Sequence, residues 1–231
     1  MRVFAISDLH LSGADPKPME IFGEHWQNYF ENIENAWRRS ISVEDIVLIA
    51  GDISWAMRLE DAAIDLMRIN ALPGRKVLLR GNHDYWWGAL TKVRSIAGDM
   101  HVIQNDAVRI DGAVFCGSRG WLMPGSKDFS AADRKIFNRE LLRLEMSLKC
   151  AAKLAENGEP IVVLTHFPPF DGEEGSMVTE LISAYGAKAV VYGHIHGREV
   201  VRNNPRRFDG TDYYITSCDL LGFSPIEIKI D

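Results

Sequence analysis

Five short segments of the chain end in residues that can hold a metal ion or move a proton. Asp8 and His10 follow the apolar run 3–6, Asp52 follows 46–50, and Asn82, His83 and Asp84 follow 77–79. Downstream, His166 follows the run 161–164, and His194 and His196 follow 189–192. Singly, each cluster is a weak signal, since strands ending in Gly-Asp are common and a lone histidine is more often a hydrogen-bonded structural residue than a ligand. Together, Asp8, His10, Asp52, Asn82, His166, His194 and His196 supply two carboxylates, one amide and four imidazoles. With one carboxylate shared, such a set offers about four protein ligands to each of two metals and leaves positions open for water and substrate. Mixed imidazole and carboxylate ligation suits Mn, Fe, Zn or Co better than Ca or Mg.

The elements that must carry these residues are legible in the same pattern. The runs are continuous and rich in β-branched residues, as in strands covered on both faces, and sites in open α/β sheets form beyond the carboxyl ends of such strands. Between them, Trp26, Phe30, Ile33 and Trp37 recur at helical spacing, as do Leu59, Ala63, Leu66 and Asn70, and then Phe137, Leu141, Leu144, Leu148, Ala152 and Ala155. Further strand-like runs at 107–110, 113–116, 213–216 and 226–230 alternate or lack intervening helices, which predicts a mixed second sheet. An α/β fold follows, a sandwich of two mixed β-sheets flanked by helices. Residues 118–128, with Gly120, Pro124 and Gly125, read as a surface loop. Neither repeat nor linker divides the chain, so residues 1–231 are expected to form one domain. Asp8 and His10 lie two apart, so an extended backbone would point both side chains the same way, and His194 and His196 repeat the arrangement. Gly51, Gly81 and Gly193 leave room for close backbone approach.

The 231 residues are 46% hydrophobic and 25% charged, proportions that exclude a disordered or fibrous chain. A formal charge of −6 lacks the basic footprint of proteins that bind polymeric nucleic acid. A small phosphorylated partner at a local cationic site remains compatible with it. No apolar run nears the roughly 18 residues that span a bilayer, and no signal-peptide pattern precedes Ser7, so a cytoplasmic protein without membrane partners is expected. Cys116, Cys150 and Cys218 have neither zinc-site spacing nor the even count of a disulfide framework. Oligomeric state is not encoded in any of these features.

The ordered set Asp8-x-His10, Gly51-Asp52, Gly81-Asn82-His83-Asp84, Thr165-His166 and Gly193-His194-x-His196 resembles the calcineurin-like metallophosphoesterase superfamily. The resemblance implies a four-layer α/β/β/α fold and a dinuclear centre. Asp8, His10 and His196 would hold one metal, Asn82, His166 and His194 the other, and Asp52 would bridge them. It further implies hydrolysis of a phosphomonoester or phosphodiester by a metal-bridging hydroxide, with His83 acting near the leaving group and Asp84 orienting it. Departures narrow the class. Asp52 is followed by Ile53, Ser54 and Trp55, without the further aspartate and Arg-Gly pair of protein phosphatases. His83 stands where the lipid A precursor hydrolases carry arginine, and Ser217-Cys218-Asp219 stands where many small members have Gly-Ser. A nuclease would use the same centre, and a non-catalytic scaffold would be expected to have lost ligands that this chain keeps.

Arg119 and Trp121, in the irregular loop, are candidates to bind the substrate's phosphate and organic part, because binding residues concentrate on loops. Trp86 and Trp87 could stack on a base, with core packing the commoner fate. His25 and His101 lie outside every motif and read as structural or solvent-facing.

Overall fold

The computed structural model describes residues 1–230 of the chain. Element order is β1 (Val3–Ala5), α1 (Tyr29–Ser40), β2 (Ile46–Ala50), α2 (Leu59–Asn70), β3 (Arg75–Leu79), α3 (Leu90–Ile96), β4 (His101–Val102), β5 (Ala107–Ile110) and β6 (Ala113–Ser118). There follow α4 (Ala131–Leu154), β7 (Ile161–Thr165), α5 (Met177–Ala184), β8 (Ala189–Tyr192), β9 (Arg206–Phe208), β10 (Thr211–Ile215) and β11 (Ile226–Ile228). One sheet runs β11-β1-β2-β3-β4 and the other β5-β6-β7-β8-β10-β9.

Alternation along the strands builds the layers. Val3, Ala5, Ile46, Leu48, Val77 and Leu79 pack against Phe115, Val162, Leu164 and Val191 of the opposite sheet. Their neighbours Phe4, Val47, Ile49 and Leu78 face Ile33 and Trp37 of α1 and Leu66 of α2, while Val163 and Val190 face Phe137, Leu144 and Leu148 of α4. Each central strand is thus buried on both sides, which is why its sequence is an unbroken apolar run. The result is the four-layer α/β/β/α sandwich.

Three expectations need correction. The run 226–230 does not join the second sheet; β11 pairs antiparallel with β1, Val3 opposite Ile228. Its alternation marks an edge strand without saying which sheet it edges. The second sheet is instead completed by β7 and β8, two of the strands that carry candidate ligands, and by the edge strand β9. The helical stripe beginning at Trp26 is also interrupted, because Asn28 adopts a left-handed φ of 51° and Trp26 ends a short 3₁₀ turn, Glu24–Trp26, ahead of α1. The loop expected from residue 118 starts one residue later, because Ser118 is a buried strand residue of β6, and it leads into α4, which starts at a capping box: the Ser130 hydroxyl accepts from the Asp133 N–H while the Asp133 carboxylate accepts from the Ser130 N–H. No helix among the described residues is long and apolar enough to cross a membrane.

Candidate metal centre

The carboxyl ends of β1, β2 and β3 from one sheet meet those of β7 and β8 from the other, and the metal-ligand candidates gather at that junction. Beyond β1 and β2 the parallel pairing continues: the N–H groups of Asp8, His10 and Leu11 donate to the carbonyls of Gly51, Asp52 and Ile53. The backbone there is not extended. Asp8, His10, Asp52 and His194 take φ values of 57°, 46°, 50° and 71°, in a region that non-glycine residues rarely occupy and that costs on the order of 1–3 kcal/mol each. Side chains two apart therefore converge through left-handed turns and not through strand alternation, which corrects the expected geometry. Close approach is the reason for two of the glycines. A Cβ on Gly81 would sit 2.1 Å from Asp52 Oδ1, and one on Gly193 2.3 Å from Asp8 Oδ2.

All seven candidate ligands come together. Asp8, His10 and His196 form one group and Asp8, Asp52 and His166 another, with ligand atoms in each group within 4.8 Å of one another. Asp52 Oδ2 lies 3.8 Å from His10 Nε2 and 3.4 Å from His166 Nε2. Asn82 Oδ1 lies 2.7 Å from His166 Nε2 and 2.9 Å from His194 Nδ1. Two rings are oriented from behind: His166 Nδ1 is 2.9 Å from the Ala50 carbonyl, and His196 Nδ1 is 3.1 Å from Asp219 Oδ1. Both contacts fix Nδ1 as the protonated nitrogen and turn Nε2 toward the cluster.

Electrostatics divide the histidines. Burial pushes the His10 imidazole down to about 3 and that of His194 to about 4, so both stay neutral with a lone pair free. Burial also opposes charge on His166, but Asp52 beside it lifts its pKa to about 9. His196 is raised despite its burial by the hydrogen bond to Asp219 and the charge of Asp8. Burial raises Asp8, while His166 overrides burial at Asp52 and holds that carboxyl below the usual range.

These residues fit divalent cations. His10 Nε2 and His196 Nε2 face each other at 3.5 Å, Asp8 Oδ1 stands 3.7 Å from His196 Nε2, and His10 Nδ1 is buried without a hydrogen-bond partner. Oxygen and nitrogen atoms gathered this closely, Asp8 and His10 buried and His196 at the open side, are what a cation would satisfy, and their mixture suits Mn, Fe, Zn or Co.

Around the ligands the roles are more varied than their order in the chain implies. His83 lines a cavity beside the centre, its ring 4.6 Å from Trp55 and 5.8 Å from His10. Its backbone N–H donates to Asp52 Oδ1 at 2.8 Å. Asp84 does not orient the His83 ring. Its carboxylate accepts from the N–H groups of Ile53, Ser54 and Gly81 and from Trp86 Nε1, tying the β3 loop to the β2 loop. Neither Arg119 nor Trp121 lines that cavity. The Arg119 guanidinium sits 4.6 Å from the Trp121 ring and 3.7 Å from Glu140, and Trp121 Nε1 donates to Asp133. Trp86 and Trp87 are core residues. His25 does line the cavity, with Met19, Phe22, Trp26, Trp55 and Arg198. The sequence alone assigns none of these to the site; for Asp219 the Ser217-Cys218-Asp219 departure is the one signal.

Among curated proteins none matches the chain. A solved structure of a protein of unknown function from Aquifex aeolicus is similar to it, with 16% identity over 98% of this chain and 95% of that chain and a TM-score of 0.49. The calcineurin-like phosphoesterase family matches residues 1–198, a span that contains all five strand ends carrying candidate ligands. On that match, the chain belongs to the calcineurin-like phosphoesterase family.

Proposed function

We propose that this chain hydrolyses a small phosphoester, monoester or diester, using two divalent transition-metal ions. Asp8, His10 and His196 hold one ion, Asn82, His166 and His194 the other, and Asp52 is shared. The observation that carries this reading is the position of Asp52, whose Oδ2 faces His10 Nε2 at 3.8 Å and His166 Nε2 at 3.4 Å. When bound, such ions supply Lewis-acid charge to the phosphoryl group and make water acidic enough to ionise near neutral pH.

The chain's own residues do the rest. The Ala50 carbonyl and the Asp219 carboxylate hold the ligand tautomers of His166 and His196. Asp84 gathers four N–H donors and so fixes the loop that presents Asn82 to the ligand cluster and His83 to the cavity. His83, with Nδ1 buried and unpartnered, carries a proton or positive charge to the oxygen that leaves phosphorus. A formal charge of −6 and the absence of the protein-phosphatase pattern after Asp52 support a small substrate over a polymer or phosphoprotein.

The test is a screen of metal-reconstituted protein across phosphomonoesters, cyclic nucleotides, linear diesters and nucleotides. Metal-dependent turnover of a small ester is expected. Faster nicking of supercoiled DNA or dephosphorylation of a phosphoserine protein would overturn the substrate class, and full metal occupancy with no turnover would favour a scaffold.

A further inference from the structure

The cavity beside the candidate centre has a volume of about 350 Å³, within the range of small-molecule sites. His10, His83 and His196 line one part of it, so whatever fills it abuts the reacting groups. Its walls are of another kind. Met19, Phe22, Trp26 and Trp55 present carbon and ring surfaces, and three of these four come from the paired 3₁₀ turns Met19–Phe22 and Glu24–Trp26. Gly23 joins the turns at φ 136°, a conformation open to glycine that lets the segment fold back over the site. Met19 and Trp26 are rooted in the core, whereas Phe22 is 53% exposed at the edge.

Charge and hydrogen bonding select among occupants. Among the described residues lining the cavity, Arg198 is the one lysine or arginine. Asp219 is already engaged by His196 Nδ1 and the Gly197 N–H, and Trp55 Nε1 by the Met19 sulfur. Of the lining histidines, three belong to the centre and the fourth, His25, offers one buried, unpartnered Nε2; a polyphosphate would find a single arginine, and a sugar would outnumber the free polar groups with its hydroxyls. Trp55 joins wall to chemistry: its ring stacks on His10 at 4.7 Å and 21° and lies 4.6 Å from His83.

Building on the phosphoesterase reading, we propose that the group esterified to phosphate is an uncharged, apolar, ring-containing alcohol or phenol seated against Trp55, Trp26, Phe22 and Met19. Hydrolysis forms a bond between water oxygen and phosphorus and breaks the ester P–O bond. The organic group departs into the cavity as the alcohol, having gained a proton at its oxygen.

Metal-loaded protein should be compared on 1-naphthylmethyl phosphate and glycerol 1-phosphate, whose leaving alcohols have similar acidity. The aromatic ester is expected to have a kcat/KM higher by about tenfold or more, carried mainly by KM. Phe22→Ala, at a half-exposed edge position where folding is safe, should reduce that ratio to below about threefold. Quenching of tryptophan fluorescence by 1-naphthylmethylphosphonate gives a readout independent of turnover. Saturable quenching that weakens in Phe22→Ala supports the pocket even if no ester is cleaved, in which case the hydrolase reading alone fails. Equal or better use of glycerol phosphate, a preference unchanged in Phe22→Ala, or no saturable quenching would overturn the apolar substrate class.

Discussion

Asp52 and His83 touch through one hydrogen bond and should nevertheless fail in different ways. Replacing Asp52 with Asn removes the charge that faces two histidines and keeps the side-chain shape. Metal analysis should then show less than the wild-type complement and hydrolysis should be lost; unchanged metal content with normal turnover would refute the shared ligand. His83→Ala should keep its metals and lose about 10²–10⁴-fold in turnover, with a smaller loss for esters of acidic phenols that need little protonation. A uniform loss across leaving groups would reassign His83 to positioning. Asp219→Asn tests the support behind a ligand: metal affinity should fall about 10–100-fold, and competition with a chelator of known affinity reads it directly. At this scale the sequence revealed those residues whose type and strand-end position announce their chemistry. Asp219 escaped because it lies 23 residues beyond His196 and only the fold brings its carboxylate to that ring. Asp84 was legible as important but misread, since adjacency to His83 says nothing about where its carboxylate points.

Strands and helices were legible to the extent that burial imposes a period. β2, β5 and β8 coincide with their apolar runs, and β3 begins two residues early because Lys76 is buried within it, its ammonium donating to the carbonyls of Asn70 and Leu72. The two-residue β4 and the short α3 and α5 are too brief for periodicity to mark. The left-handed turns at Asp8, His10, Asp52 and His194 were equally hidden, because nothing in those residue types forces a positive φ. What holds such turns is the hydrogen bonding between loops, with Asp84 at its centre. Burial and the nearby Asp52 raise the Asp84 carboxyl to about 6, yet four donors converge on it. Asp84→Asn turns an amide donor toward N–H groups that need an acceptor, so it should cost about 1–3 kcal/mol in a urea titration. A stability within a few tenths of wild type would mean that the β2 and β3 loops are held by other contacts.

For the molecule as a whole, the centre imposes a stability that depends on both pH and metal. In the metal-free protein His166 titrates at about 9 when folded and near 6.5 when unfolded. The folded state therefore keeps a proton that the unfolded chain releases, a stabilisation fully present below the unfolded value and lost as pH rises through the folded one. His196 shifts in the same direction. His10 and His194, with lowered values, oppose this slope while the unfolded chain still sheds protons around pH 6.5, and their effect fades as pH rises above that value. Lys76, pushed down to about 8 by burial, acts in the opposite sense at higher pH, so the His166 contribution dominates from about pH 7 to about 8. Across that range the urea midpoint of chelator-treated protein should fall. Metal loading should reverse the trend, because cations bind deprotonated imidazoles and stabilise the folded state more as competing protons are withdrawn. The two midpoint curves should therefore diverge with rising pH. Parallel or converging curves would show that the protons on His166 and His196 do not compete with the metals for this site.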